Sequence, residues 1–218
     1  MDPEFWHERW AQQQIGFHQQ DINPYLVHYW RRLTLPPSAR VLVPCCGKSN
    51  DMLWLCEQGH SVVGLELSRL AVEAFFNDNA LKALVQDRGG FSCWECDELQ
   101  IMCGDLFDLD QRDIGTVDAV YDRAALIAMP PAIRPAYVEQ LFLLTGRALP
   151  QLLVTMEYDP DEMDGPPFSV AEDEVHELYQ ERYHIELLER RSIIETEPRF
   201  QERGLTRLSE TAYRLQPR

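Results

Sequence analysis

Short apolar runs that alternate with helical patterns restrict the fold of this chain more than any other feature. Each run is about five residues long, is bounded by Gly, Pro or acidic residues, and is typical of a buried strand. The runs cover residues 40–43, 61–65, 99–103, 117–121 and 152–156. Amphipathic segments lie between them, including 51–58, 69–77 and 132–149. This alternation predicts a mostly parallel sheet with helices on both faces.

The two ends of the chain extend this pattern. Residues 185–188 and 211–215 are further extended stretches, which we expect to pair as an antiparallel edge of the same sheet. Helical patterns at 4–14 and 25–33 precede the first strand. The predicted fold class is α/β, with a Rossmann-like, mostly parallel seven-stranded sheet and an N-terminal helical lid. We expect a single domain over 1–218, divided into a helical cap at 1–37 and an α/β core at 38–218.

Charge and hydropathy narrow the range of partners. Asp and Glu number 36 against 20 Lys and Arg, which gives a formal net charge of −16. Nucleic acids and anionic membranes favour basic surfaces, so we expect neither as a partner. No apolar run approaches the ~18 residues of a membrane span, and the first residues lack the features of a secretory leader. The sequence therefore predicts a cytoplasmic protein, monomeric by default, that binds a small molecule.

Ligands of open α/β sheets bind at the carboxyl ends of the strands. Polar or glycine-rich positions follow four of the predicted strands: Cys45 to Gly47, Glu66, Asp105 with Leu106, and Arg123. Glu66 lies 19 residues after Gly47. This is close to the ~20-residue offset of an acid that accepts hydrogen bonds from ribose hydroxyls. A surface carboxylate that happens to end a strand is the alternative, and spacing alone does not separate the two.

The loop after the first strand contains a single glycine, Gly47. A dinucleotide site normally has G-x-G-x-x-G, so a nicotinamide oxidoreductase is disfavoured. A nucleoside without phosphates, such as S-adenosylmethionine, is compatible with this loop. Asp105 either flanks an adenine ring or forms a local turn. Arg123 is expected to point into a cleft, with an ion pair to Asp122 or Asp118 as the alternative.

Aromatic side chains near the N-terminus have two possible roles. Trp6 and Trp10 are four residues apart, on one face of a predicted helix. They either cover a ligand or belong to the core. Phe17 carries the same ambiguity, and His18 is either a general base or a structural residue.

The cysteines include a C-x-x-C pair, Cys93 and Cys96, with Cys103 nearby in the sequence. A structural zinc site usually has a second close pair of ligands, which this chain lacks. We therefore expect buried, small apolar thiols and no metal. A non-enzymatic metal-binding domain built on these three cysteines is the alternative from another functional class.

Sequence blocks in order along nearly the whole chain resemble the thiopurine S-methyltransferase family. They are WHERW at 6–10, GFHQ at 16–19, VPCCGK at 43–48, GHSVVGLE at 59–66, FDL at 107–109, YDRAAL at 121–126, YDP at 158–160, GPPF at 165–168 and FQER at 200–203. Each block alone has low specificity, whereas together they are highly specific.

The resemblance implies a class I methyltransferase fold that uses S-adenosylmethionine, with S-adenosylhomocysteine as the product. It implies cofactor contacts from Trp10, Cys45, Gly47, Glu66, Asp105, Leu106 and Arg123. Within this set, Trp10 would cover the cofactor, Glu66 would hold the ribose, and Asp105 with Leu106 would flank the adenine. The acceptor, an aromatic or heterocyclic thiol such as a thiopurine, would lie against Phe17, Arg123 and Arg203.

The resemblance also implies the reaction, an in-line transfer of a methyl group to sulfur. Alignment of the reactants can supply about 7–11 kcal/mol of the barrier. Because heterocyclic thiols are acidic, we expect positioning and desolvation and assign no catalytic residue. The segment 89–98 replaces a longer insertion of the animal members, and the compact chain, in which we see no organelle signal, resembles bacterial ones. Bacterial relatives are linked to methylation of selenium and tellurium species, which makes metalloids the alternative acceptors.

Overall fold

A computed structural model describes residues 3–218, and all nine strands within them belong to one sheet. The strands are β1 (Arg40–Pro44), β2 (Ser61–Glu66), β3 (Leu84–Asp87), β4 (Ser92–Cys96), β5 (Leu99–Cys103), β6 (Ala119–Asp122), β7 (Gln151–Glu157), β8 (Tyr183–Ser192) and β9 (Ser209–Pro217). Their order is β3-β4-β5-β2-β1-β6-β7-β9-β8. The centre of the sheet, from β5 to β7, is parallel, and both edges are antiparallel.

The sheet confirms the predicted α/β class but has nine strands where seven were expected. The difference is the hairpin of β3 and β4, which the apolar pattern does not predict. All residues of β3 are exposed. The strand therefore lacks the apolar pattern by which the others were recognised. The predicted antiparallel edge, by contrast, is present as β9 paired with β7 and β8.

Helices cover both faces of the sheet. They are α1 (Pro3–Ala11), α2 (Pro24–Tyr29), α3 (Asp51–Glu57), α4 (Arg69–Asp78), α5 (Gln111–Ile114), α6 (Ala125–Ala128), α7 (Arg134–Thr145), α8 (Glu172–Tyr179) and α9 (Pro198–Glu202), with 3-10 turns at Trp30–Leu33 and Pro131–Ile133. Alternate residues of β1 show the two layers. Val41 and Val43 pack in one apolar cluster, with Trp30, and Leu42 packs in the other, with Tyr137. Successive strand side chains point to opposite faces, so both faces are buried.

The N-terminal segment is tied to the core through Asn23. Its side-chain oxygen accepts hydrogen bonds from the backbone N–H groups of Tyr25 and Leu26, which caps α2. The backbone N–H of Asn23 in turn donates to Asp51 at the start of α3, at 2.8 Å. This bond fixes the segment beside the carboxyl end of β1. Within residues 3–218, no helix combines the length and apolar character of a membrane span.

Candidate active site

A cavity of about 510 Å³ opens where β1, β2 and β6 end. Its volume falls in the range of small-molecule sites. It is lined by most of the predicted site residues: Trp10, Phe17, Cys45, Gly47, Glu66, Arg123 and Arg203. Asp105 and Leu106 line a neighbouring recess of about 30 Å³ that shares Cys45 and Glu66 with the main cavity. The fold therefore brings all nine predicted positions to one edge of the sheet.

Glu66 is the most firmly positioned polar residue of this site. One carboxylate oxygen accepts from the backbone N–H of Gly47 at 2.8 Å, and the other accepts from that of Ser68 at 2.7 Å. Burial raises the pKa of Glu66 to about 7, against the opposing effect of these N–H groups. A carboxylate has about four acceptor positions, so each oxygen retains capacity for another donor. The group fits a ligand with two neighbouring hydroxyls, as the ribose of S-adenosylmethionine has.

The turn after β1 brings backbone close to the cavity. Cys45 and Gly47 both have positive φ values, +47° and +53°. At Gly47, a Cβ atom would come within 3.4 Å of the Trp10 ring, so the indole lies directly on this glycine. Trp10 is 7% exposed and packs edge to face with Phe17, with 5.7 Å between ring centroids. Thus α1 places an aromatic cover on the turn, as the predicted lid requires.

The recess beside the turn contains the predicted adenine neighbours. Asp105 accepts a hydrogen bond from the backbone N–H of Phe107 at 3.0 Å, which is the local turn considered as the alternative for this residue. Asp105 nevertheless borders the recess, together with the buried Leu106. Pro3, the first residue described, lies over the same recess. An adenine ring would therefore meet the beginning of α1 on this side.

Arg123 points into the cavity, but its acidic neighbour is neither Asp122 nor Asp118. Its guanidinium lies 3.9 Å from the carboxylate of Asp51, and 15% of its side chain is exposed. Asp51 also accepts a hydrogen bond from the hydroxyl of Tyr121 at 2.9 Å. Asp122 is engaged elsewhere, because it accepts hydrogen bonds from Tyr137 and from the first backbone N–H groups of α6. Consequently Arg123 retains donors that face the cavity.

The opposite wall is formed by a loop, 158–168, and by α9. Arg203 donates to the backbone carbonyl of Asp164 at 2.8 Å and to that of Pro166 at 3.5 Å. A separate small core, which includes Met156, Tyr158 and Phe200, supports this wall. Arg203 is exposed at the cavity mouth. Phe17, which is 39% exposed, lies on the side of the cavity formed by the N-terminal segment.

Several charged residues of the cavity were not singled out from the sequence. Arg9, Lys48, Arg199 and Glu210 all line it. Glu210 was missed because the predicted strand began at Thr211, whereas β9 begins at Ser209. The signal that could have identified Glu210 is an acidic residue at the beginning of an extended stretch. His18 also lines the cavity, where burial and then the charges of Lys48 and Arg123 lower its pKa.

The cysteines do not form a metal centre in the described part of the chain. Residues 3–218 contain no cluster of three or more His, Cys, Asp or Glu that could hold a metal ion. Cys93 is buried on β4, where it accepts a hydrogen bond from Gln100. Cys45 borders the cavity, and burial raises the pKa of its thiol well above the ordinary value. The structure therefore gives no support to the metal-binding alternative.

Comparisons with known proteins give full-length matches to one family. The family described as thiopurine S-methyltransferase matches residues 1–218. A thiopurine S-methyltransferase of Methylococcus capsulatus is 50% identical over 216 residues, which cover 99% of this chain and 97% of that protein. The protein of the same name from Nitrosospira multiformis is 48% identical over 218 residues, which cover 100% of this chain and 99% of the relative.

Solved structures show the same fold at low sequence identity. An S-adenosylmethionine-dependent methyltransferase of Anabaena variabilis superposes with a TM-score of 0.68 at 13% identity, covering 99% of this chain and 95% of that one. A 1,6-didemethyltoxoflavin-N1-methyltransferase of Burkholderia thailandensis gives a TM-score of 0.61 at 16% identity, covering 98% and 86%. These likenesses confirm the Rossmann-like methyltransferase fold. Together with the full-length family match, they establish that the chain belongs to the thiopurine S-methyltransferase family.

Proposed function

We propose that this protein transfers the methyl group of S-adenosylmethionine to the sulfur of aromatic and heterocyclic thiols such as thiopurines. The observation that carries the proposal is the shared cavity. It joins a carboxylate suited to a ribose, Glu66, with two cationic side chains suited to an anionic sulfur, Arg123 and Arg203. Membership of the thiopurine S-methyltransferase family supports the same reaction.

The cofactor end of the cavity, defined here as Trp10, Cys45, Gly47, Glu66 and the recess of Asp105 and Leu106, binds S-adenosylmethionine in this proposal. Glu66 accepts hydrogen bonds from the ribose hydroxyls. Gly47 lets the backbone approach the ligand, because it has no side chain and adopts a φ of +53° that other residues rarely adopt. When bound, S-adenosylmethionine supplies an electrophilic methyl group on a sulfonium sulfur.

The acceptor end, defined here as Phe17, Arg123, Arg199, Arg203 and the loop 158–168, positions the thiol. A guanidinium stabilises a thiolate through charge-assisted hydrogen bonds. Arg123 is suited to this, because its 3.9 Å separation from Asp51 leaves donors for a ligand. Phe17, together with Trp10, excludes water from the path of attack. The chain then contributes mainly alignment, which is worth about 7–11 kcal/mol in favourable cases.

The proposal is tested by incubating the protein with S-adenosylmethionine labelled in the methyl group and with 6-mercaptopurine. We expect labelled S-methyl product, identified by its mass. Its absence from a folded protein that binds S-adenosylhomocysteine would reject thiopurines as acceptors.

A second acceptor class is favoured by one observation, the presence of Arg123, Arg199 and Arg203 among the arginines that line the same cavity. Oxyanions of selenium and tellurium, or anions derived from them, can pair with this charge. Cells that express the protein and are supplied with selenite or tellurite should then release volatile methylated products into the headspace. A headspace identical to that of cells without the protein would exclude this class.

We further propose that a monomer in the cytoplasm is the working form and that residues 1–218 act as one domain. In support of this proposal, residues from the described part of the cap, 3–37, and from the core, 38–218, line both ends of the cavity. A small-molecule thiol is the proposed partner. Sedimentation of the purified protein with and without S-adenosylhomocysteine tests the monomer, and a stable dimer would contradict it.

A further inference from the structure

Glu210 is an acidic side chain of the cavity to which the proposed function assigns no role. It lies on β9 and pairs directly with Met156 of β7, another cavity residue. Directly paired residues of antiparallel strands project to the same face of the sheet. The side chain of Glu210 therefore stands beside that of Met156 on the cavity wall.

Glu210 and Glu66 are the two acids among the described residues of this cavity, and they serve different ends. Their strands are four steps apart in the sheet order β2-β1-β6-β7-β9. At about 4.8 Å per step, this separation is roughly 19 Å. Glu210 therefore belongs to the acceptor end, where Arg123 and Arg199 influence its pKa.

The carboxylate of Glu210 has unused acceptor capacity. No donor within residues 3–218 forms a hydrogen bond with its oxygens, and Glu210 is half-buried. Burial raises the pKa of this carboxyl, and the charge of Arg123 opposes the rise. A carboxylate at the wall of a cavity with no partner from the protein can accept a hydrogen bond from a ligand, so a ligand that brings an N–H donor gains free energy here.

Heterocyclic thiols bring such a donor. In water they exist largely as thioamides, with a C=S bond and a hydrogen on the neighbouring ring nitrogen. This proton must leave when the sulfur is methylated. Arginine side chains only donate hydrogen bonds, so Arg123 and Arg203 cannot accept it. Glu210 can.

We infer that Glu210 binds and accepts the ring N–H proton next to the sulfur, so that the site prefers heterocyclic thioamides to simple thiophenols. The inference rests on the proposed S-methylation. The N–H proton passes to the carboxylate, and the electron pair of the N–H bond forms a C=N bond. The C=S π pair moves to sulfur, which forms the bond to the methyl carbon. The bond from that carbon to the sulfonium sulfur breaks, and its electrons remain on the leaving sulfur.

The test compares 2-mercaptopyridine, which carries the N–H, with thiophenol, which does not. Relative kcat/KM values are measured for the wild-type protein, for Glu210→Gln and for Glu195→Gln. Glu195 is an exposed acid outside the cavity, and its substitution serves as the matched control. We expect Glu210→Gln to lower the preference for 2-mercaptopyridine by about ten- to hundredfold, the range for a hydrogen bond to a charged group. Glu195→Gln should leave the preference unchanged.

An equal loss for both acceptors, or no loss, would overturn the inference and leave Glu210 as a counter-charge to the arginines. Unchanged affinity for S-adenosylhomocysteine verifies that Glu210→Gln is folded.

If that variant does not fold, the inference is tested by comparing the binding of two ligands to the wild-type protein. With S-adenosylhomocysteine present, 2-mercaptopyridine should bind about tenfold more tightly than 1-methylpyridine-2-thione, which lacks the N–H; equal affinity contradicts the inference. Absence of methyl transfer by the wild-type protein would count against the proposed function, whereas this binding comparison would still judge Glu210.

Discussion

The two ends of the cavity are built in different ways. At the cofactor end, Glu66 is buried at the close of a central strand and held by backbone N–H groups at 2.7 and 2.8 Å. At the acceptor end, Arg203 is exposed and bonded to carbonyls of a surface loop. A site held by the sheet tolerates little change, whereas loops vary without loss of the fold. We therefore expect acceptor preference to change more readily than cofactor binding.

The largest effect should follow from Glu66→Gln. The amide has no negative charge. Its NH2 group would also face one of the backbone N–H groups that donate to the Glu66 carboxylate, and this N–H would lose its acceptor. Loss of two charge-assisted hydrogen bonds to the ribose should weaken S-adenosylhomocysteine binding by about hundredfold or more. Calorimetric titration measures this, with the exposed Glu57→Gln as control. Affinity within twofold of the wild type would contradict the assigned role of Glu66.

The next effect is a pH dependence confined to the cofactor end. Glu66 has a pKa of about 7 in the free protein, and ribose hydroxyls donate to its ionised form. Affinity should therefore be full above pH 7 and fall as pH decreases through 7, by about tenfold per pH unit. Dissociation constants for S-adenosylhomocysteine between pH 5 and 8 test this. The dependence should disappear in Glu66→Gln, and tighter binding on acidification would refute it.

A smaller change is expected from Arg203→Ala at the acceptor end. Removal of one charge-assisted contact should raise KM for 6-mercaptopurine by about tenfold, while cofactor affinity is retained. Arg207→Ala is the matched control, because Arg207 is an exposed arginine outside the cavity. Steady-state kinetics and calorimetry on the same samples separate the two ligands. Loss of cofactor binding in Arg203→Ala would contradict the assignment of Arg203 to the acceptor end.

The smallest effect should come from Tyr121→Phe, behind Arg123. The tyrosine hydroxyl donates to Asp51, the neighbour of Arg123. Its removal should cost about 1.5 kcal/mol of unfolding free energy, or roughly 4 °C in Tm. Tyr25→Phe is the control, because the buried hydroxyl of Tyr25 has no hydrogen-bond partner among the described residues. Thermal unfolding should then shift for the first variant and not for the second.

The same contrast explains how far the sequence could predict the site. Glu66 and Gly47 lie at fixed offsets from buried strands, so periodicity and spacing indicated both. Arg123 was expected to face a cleft and does so, but its neighbour Asp51 lies 72 residues away in the sequence and was missed. Glu210 was missed because the predicted strand began at Thr211, and its place in the cavity depends on the register of β9 against β7. Such long-range pairings are set by tertiary packing, which local patterns do not contain.

The strands of the sheet show the same limit of prediction from local sequence patterns. Leu99–Cys103 was predicted with its observed bounds, because its residues follow an apolar pattern. The hairpin of β3 and β4 has an exposed strand with no such pattern, and it was missed. The resemblance of the motifs to one family supplied what periodicity could not, namely the reaction and the residues that we propose for the acceptor end.

The central claim is that one cavity has a cofactor end that depends on Glu66 and an acceptor end that depends on Arg203. The most direct test measures S-adenosylhomocysteine affinity and the KM for 6-mercaptopurine on Glu66→Gln and Arg203→Ala side by side. We predict that Glu66→Gln weakens the cofactor by about hundredfold, and that Arg203→Ala raises the acceptor KM by about tenfold with cofactor affinity intact. Equal losses of both ligands in both variants would contradict the division.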